Sequence, residues 1–259
     1  MKIGVHLNAY PCPIEEQLKL MKKYGFEATF CHSSSQELES IMNLCHEYGI
    51  EVENHHAPFS HINDIWFDTP EGEEMFKELM DSVDKCKKYG VDTLVVHLSG
   101  GRVPINELGM SRFARLVDYA KENGVTIAFE NLSKLGNLAY AFEEFEDAGF
   151  CWDTGHEKAF THGRQYMPLY SDKIVALHVH DNFCVHKGDM HMIPYDGLID
   201  FDRVTTQLAE ANYNKSLMLE IMAHRTQEYM DMGPDAFYKR AADAAKRLAA
   251  QVEYKKSLK

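Results

Sequence analysis

The chain is poor in the features that mark several protein classes. Its six cysteines (Cys12, Cys31, Cys45, Cys86, Cys151 and Cys184) include no CxxC pair, which argues against a disulfide framework or a zinc ribbon and for free thiols in a reducing cytoplasm. Cys151 and Cys184, which flank polar segments, read as small buried hydrophobes. Positive charge is scarce as well, with 27 Lys and Arg against 40 Asp and Glu and a formal net charge of -13. That balance repels a phosphate backbone and disfavours nucleic acid as a partner. No apolar run is long enough to span a membrane, and MKIGVHLNAY passes directly into a strand-like pattern, so neither a membrane anchor nor a secretory leader is expected. Dinucleotide, P-loop and α/β-hydrolase readings lack support, because GxGxxG, Walker and GxSxG motifs are all missing.

What is present is a repeating unit. Short apolar runs alternate with segments whose apolar residues recur at helical spacing, as in KIGVHLN followed by IEEQLKLMKKYG and EATFCH followed by QELESIMNLCHEYG. Further strands are predicted at IEVENHHAPF, VDTLVVHLSGG, VTIAFENL, GFCWDTGH, IVALHVHDN and SLMLEIM, and later helices over 71–89, 105–123, 200–212 and 235–256. The pairs Tyr24-Gly25, Tyr48-Gly49, Tyr89-Gly90 and Asn123-Gly124 punctuate the units as helix C-caps. Eight such units in 259 residues favour an α/β fold in which one domain, residues 1–259, closes as a (β/α)8 TIM barrel with its site at the C-terminal ends of the strands. The connection from Phe183 to Asp200 is long and rich in His, Gly and Asp, as functional loops are.

In such a barrel the strand ends converge on one mouth. Collecting the polar residues there gives His56, His97, Glu130, Asp153, His156, His178 and Glu220, from six successive strands. Each has a bland explanation alone, but together they point to a metal site. In LHVHDN, His178 and His180 are two apart and share a strand face. Glu130, Asp153 and Glu220 with the His178 imidazole form an oxygen-rich set suited to Mn, Mg or Co; His56 and His97 add nitrogen donors that make Zn or Fe plausible. His156 with Asp189 and His191 offers a third position, although Asp189 and His191 read equally well as loop surface. Phe59 and Trp66 are candidates to stack on a base or a sugar ring, with simple pocket lining as the blander alternative. Gly100, Gly101 and Arg102 read as a plain turn ahead of an anion contact.

The motifs HAPF (56–59), VVHLSGG (95–101), FEN (129–131), WDTGH (152–156), HVHDN (178–182), DMH (189–191) and LE (219–220) resemble the xylose isomerase-like TIM barrel superfamily. That group holds sugar isomerases and epimerases, inosose dehydratases and endonuclease IV-type abasic-site nucleases. The resemblance implies a metal quartet of Glu130, Asp153, His178 and Glu220. His178 takes the ligand role over His180 because the family motif is His-x-x-acid, completed by Asp181. His56, His97, His156, Asp189 and His191 match the further ligands of the trinuclear nuclease type. The activity implied is a divalent-metal-dependent isomerisation or epimerisation of a sugar or sugar phosphate. Glu130 and Glu220 would move protons beside a carbonyl through an enediolate, and His156, His180, Lys187, Phe59 and Trp66 would contact substrate. An inosose-type dehydratase shares the same proton abstraction. The arginine that the epimerase pattern places after the seventh strand is absent from DNFCVHKGD, where Lys187 or His186 would substitute. The neutral to acidic mouth loops SHINDIWFDTPEGEE and THGRQYMPLYSD favour a small sugar or polyol over DNA. Barrels of this kind also pair through their helical faces, so a homo-oligomer is compatible with the resemblance.

Overall fold

The computed structural model describes residues 1–101, 103, 105–161 and 163–259. Arg102, grouped above with Gly100 and Gly101, lies outside the described residues. Eight parallel strands form one sheet: β1 (Ile3–Val5), β2 (Ala28–His32), β3 (Glu51–His56), β4 (Thr93–Val96), β5 (Thr126–Glu130), β6 (Gly149–Asp153), β7 (Ile174–His178) and β8 (Leu217–Leu219). Their order is β7-β6-β5-β4-β3-β2-β1-β8. The last gap is bridged just beyond β7, where Val179 N donates to Met218 O at 2.8 Å and Glu220 N donates to Val179 O at 3.0 Å. The sheet is thus a (β/α)8 barrel, nearly closed by ladder pairing and completed by this bridge.

Helices α1 (Ile14–Tyr24), α2 (Leu38–Tyr48), α3 (Pro70–Tyr89), α4 (Glu107–Glu122) and α5 (Leu135–Glu144) follow the first five strands, and α6 (Thr154–Phe160), α7 (Met167–Tyr170), α8 (Phe201–Glu210) and α9 (Gln227–Ser257) the remainder. The expected glycine stops hold: Gly25, Gly49, Gly90 and Gly124 all have φ between 63° and 85°. WDTGH differs from a simple strand end, because β6 passes straight into α6, with the Asp153 carboxylate capping the His156 amide at 2.5 Å. The eighth strand is shorter than SLMLEIM suggests, because Met222 N and Ala223 N turn away to His191 O and Ala9 O. None of the helices among the described residues is long and apolar enough to cross a membrane.

The main core lies between strands and helices. Trp66, in the 3-10 turn Ile62–Trp66, belongs to it: the side chain is 1% exposed and its ring packs on Phe113. A Cβ at Gly109 would lie 2.1 Å from this indole, so the glycine makes room for it. Trp66 therefore has no free face for a substrate, and its expected role as a sugar contact gives way to packing. Arg112, 2% exposed, pins the same turn by donating to Ile65 O (2.7 Å) and Phe67 O (2.8 Å) while pairing with Glu73 (2.5 Å).

A smaller set of residues fills the barrel itself: Phe30, Val95, Ala128, Cys151, Ala176 and Met218. Side chains two apart on a strand share a face. The next inward positions are therefore His32, His97, Glu130, Asp153, His178 and Glu220, with His56 on β3 and His6 beyond β1 in the same layer. An apolar floor thus carries a ring made only of imidazoles and carboxylates, and one step of strand register fixes every member. Five of the six cysteines are buried or half-buried; Cys184, expected as a small buried residue, is exposed on the loop after β7.

Arg112→Ala is expected to lower stability by about 3 kcal/mol, because two buried carbonyls lose a charged donor. Glu73→Gln, at the solvent end of the same pair, is expected to cost under about 1 kcal/mol. Urea unfolding midpoints check both, and equal losses would remove Arg112 from this bracing role.

Candidate metal centre

The ring converges on Glu130, 3% exposed at the end of β5. One carboxylate oxygen, Oε2, faces His56 Nε2 at 3.2 Å and His97 Nε2 at 2.8 Å. The other, Oε1, faces His178 Nδ1 at 3.1 Å and His156 Nδ1 at 3.2 Å. Glu220, beyond β8, completes the far side, with Oε2 at 3.5 Å from His178 Nδ1. Ligand atoms of Glu130, Asp153, His178 and Glu220 all lie within 4.8 Å of one another, as do those of His56, His97 and Glu130. The His178 ring rests on Phe30 with centroids 4.5 Å apart, so the apolar floor sets its height. Asn131 fixes Asp153 through paired backbone bonds, donating from Nδ2 to Asp153 O (2.8 Å) and accepting Asp153 N on Oδ1 (2.7 Å).

A second group forms beside the quartet. His156, His180, Asp189 and His191 also bring ligand atoms within 4.8 Å of one another. His180 Nε2 lies 3.1 Å from Asp153 Oδ1, and His191 Nε2 lies 3.1 Å from Asp189 Oδ2. Asp189 and His191 are held by the loop after β7, which Asp181 organises. Its carboxylate accepts main-chain amides from Asn182 (2.8 Å), Tyr195 (3.0 Å), Gly197 (2.9 Å) and Ile199 (3.0 Å).

Opposing shifts follow from these contacts. Burial opposes charge on Glu130, but the facing imidazoles, His178 and His97 foremost, outweigh it and hold the carboxyl well below the usual range. Glu220 moves the other way: burial, then the charges of Glu130 and Asp153, push it well above. Asp153 falls to about 2, since His156 and His180 overcome its burial. Those two imidazoles are raised in return, against the effect of burial, chiefly by Asp153. The acids facing His156 and His180 thus favour their charged forms.

A divalent cation fits these residues. Asp153 Oδ2 and Glu220 Oε2 are buried with no hydrogen-bond partner among the described residues. Unpartnered carboxylate oxygens converging beside an imidazole are costly unless a cation satisfies them. With three carboxylates and one imidazole the quartet is a hard, oxygen-rich donor set.

The structure places the other sequence candidates unevenly. Phe59, 44% exposed, stands over the His56 and His97 rings at 5.2 and 4.8 Å between centroids, at the lip of the ring. Lys187 is exposed and makes a backbone bond to Ala159. Two imidazoles are additions to the sequence list. His32 packs beside His56 (5.2 Å) and is pushed down to about 3 by burial and its imidazole neighbours, and His6 stacks on Phe30 (5.4 Å). Both end strand-like runs, KIGVH and EATFCH, so the rule that found the other strand ends would have found these.

A profile of the xylose isomerase-like TIM barrel matches residues 6–248. The chain belongs to that family. It is similar to the solved structure of the IOLI protein with a binding zinc atom, at 18% identity over 98% of this chain and 99% of that one, with a TM-score of 0.77. It is also similar to D-psicose 3-epimerase with D-tagatose from Clostridium cellulolyticum H10, at 13% identity over 97% and 99% of the two chains, with a TM-score of 0.76. At these identities the likeness is one of fold. Protein y4fM of Sinorhizobium fredii (strain NBRC 101917 / NGR234) is 32% identical over 139 residues, 53% of this chain and 43% of that protein. The match therefore takes in less than half the length of that relative.

Glu130 offers ligand atoms to both the quartet and the His56–His97 group. Glu130→Gln is therefore expected to weaken divalent-metal retention about 10- to 100-fold. Elemental analysis of dialysed protein checks this, and full retention by the variant would remove Glu130 from the centre.

Proposed function

We propose that this protein is a divalent-metal-dependent isomerase or epimerase of a small sugar or sugar phosphate, working by proton transfer next to a carbonyl. The observation that supports it most is the buried quartet of Glu130, Asp153, His178 and Glu220, whose donor atoms lie within 4.8 Å of one another. Glu130, Asp153, His178 and Glu220 would hold the metal, with Mn, Mg or Co the best match to the donors and Zn or Fe also compatible. A bound ion supplies Lewis-acid polarisation of the substrate carbonyl, which lowers the cost of the charge that develops when the neighbouring proton leaves.

The residues of the chain do the rest. Glu130 and Glu220 approach from β5 and from beyond β8, on different sides of the ring. One removes the proton beside the carbonyl and the other returns it, from the opposite face when the outcome is epimerisation. His156, His180 and Lys187 are the proposed polar contacts for substrate hydroxyls. Phe59 supplies an apolar face at the lip against which a sugar ring packs, and its exposure suits that role. The barrel as one domain and a cytoplasmic location, consistent with the absence of disulfides among its six cysteines, belong to the same proposal.

A specific observation favours a second reading. The groups His56–His97–Glu130 and His156–His180–Asp189–His191 extend the quartet towards a multinuclear site, as in an endonuclease IV-type abasic-site nuclease. The net charge of -13 weighs against a DNA backbone as substrate. An inosose-type dehydratase would share the proton abstraction and differ in expelling hydroxide afterwards.

Incubation of the metal-loaded protein with ketoses, ketose phosphates and inososes in deuterated water is expected to place solvent deuterium beside the carbonyl of one of them. Glu220→Gln is expected to slow that uptake about 100-fold or more. Uptake by none of the panel, with efficient cleavage of an abasic duplex instead, would replace the isomerase reading by the nuclease one.

A further inference from the structure

We infer that the thiol of Cys151 is a further donor to the ion held by the quartet, and that it turns the centre towards thiophilic ions, zinc or cobalt, and away from magnesium or manganese. The inference rests on the reading that Glu130, Asp153, His178 and Glu220 hold a divalent ion; which reaction that ion serves does not enter it. Cys151 lies on β6, fully buried in the floor of the barrel. Its Sγ and ligand atoms of Glu130 and His178 all lie within 4.8 Å of one another, the same separation that brings the quartet together. A sulfur in the floor thus faces two of the quartet's own members.

Strand register puts it there. Cys151 is the register partner of Glu130 on β5 and of Ala176 on β7, and register partners on neighbouring strands leave the sheet on the same face. Elsewhere in the floor Val95, Ala128 and Ala176 are hydrocarbon, and the Met218 sulfur is turned to Gly4, where a Cβ would fall 2.7 Å from it. Another buried thiol, Cys31, has a polar partner in His55 Nδ1 at 3.4 Å, whereas Cys151 makes no hydrogen bond among the described residues. A buried thiol alone is ordinarily a small hydrophobe. Here the polar atoms around it are also short of partners: Asp153 Oδ2, Glu220 Oε2 and His178 Nε2 are all buried without one among the described residues. Buried polar atoms left unpaired in one place call for a ligand that satisfies them together.

The chemistry of the added donor sets the preference. Three carboxylates and one imidazole are a hard set that magnesium or manganese satisfies, whereas a thiolate is soft and selects zinc and its neighbours. Coordination replaces the S–H bond by a metal–sulfur bond and passes the proton to water, so no oxidant or reductant takes part. Without an ion, burial and the nearby acids, Glu130 foremost, keep the sulfur a thiol. A divalent charge seated among those acids reverses that balance. The sulfur approaches from the floor, the side away from the mouth, and so takes no space from a substrate.

The test uses full-length protein stripped with chelator and reloaded with a single equivalent of cobalt or of zinc alone. The cobalt form is expected to show a near-ultraviolet sulfur-to-cobalt charge-transfer band. The zinc form is expected to show, by X-ray absorption, a sulfur at about 2.3 Å beside nitrogen and oxygen at about 2.0–2.2 Å. Cys151→Ala and Cys151→Ser are each expected to bind the ion and lose both signals, and their preference for zinc over manganese is expected to fall about 10-fold or more. Cys184→Ser, altered on the exposed loop, is expected to keep both signals. The sulfur signal is read on the wild type itself, so a variant that circular dichroism shows to be misfolded does not remove the test. Cobalt or zinc bound by wild type without a sulfur neighbour would overturn the inference and leave the quartet standing, as would a sulfur signal or a zinc preference unchanged in folded Cys151→Ala. Wild type that retains no divalent ion would sink the quartet reading and this inference with it.

Discussion

A side chain pointing into a closed parallel barrel can only point towards its axis, and every strand delivers its last inward residue at the same height. The register of this sheet is therefore the constraint on which the site depends. Ala128 and Glu130, Cys151 and Asp153, Ala176 and His178, Met218 and Glu220 are pairs two residues apart, the first apolar and packed, the second polar and at the mouth. A slip of one residue in any strand would send its acid or imidazole among the helices and bring an apolar group to the centre. Small residues in the lower layer keep the floor low, and Phe30 beneath His178 fills the remaining width.

Concentrating buried acids at one height has a cost that imidazoles offset. A carboxylate taken from water loses several kcal/mol of solvation unless donors replace it. Glu130 meets four histidines, and Asp153 meets two with a backbone amide besides. Glu220 has fewer such contacts and retains its proton more strongly, so the acids of the quartet are not equivalent before any ligand arrives. The rim is arranged to accept positive charge at the oxygens of these acids.

Much of this was legible in the sequence because barrel architecture converts local pattern into global position. The apolar runs fixed the strands, their polar ends named Glu130, Asp153, His178 and Glu220, and the family motifs accounted for the rest of the quartet's neighbours. What escaped had physical reasons. Trp66 looked like a mouth residue because its segment is polar around it, yet Gly109 opens a slot that draws the indole into the core. His180 shares a face with His178 by simple alternation, but only the turn after β7, and the missing side chain at Gly155, where a Cβ would fall 1.8 Å from His180 Cε1, bring its Nε2 to 3.1 Å from Asp153 Oδ1 and 3.6 Å from Asp189 Oδ1. Cys184 follows a buried segment in sequence but faces solvent, with φ of 57° in the turn beyond Asn182.

The tie made by Asp181 is of a particular kind, because its partners are main-chain amides and not side chains. Tyr195, Gly197 and Ile199 each supply an N–H, which nearly every amino acid possesses. The course of the loop is thus written into one carboxylate, while most side chains along it remain free to change without loosening it. Proline, which lacks that hydrogen, is the exception at Tyr195 and Ile199, whereas Gly197 admits no side chain, because a Cβ there would fall 2.4 Å from Asn182 O and 2.5 Å from Asp181 Oδ1. Such an arrangement lets the lip of the barrel change its side chains while the ring of acids and imidazoles beneath it stays fixed.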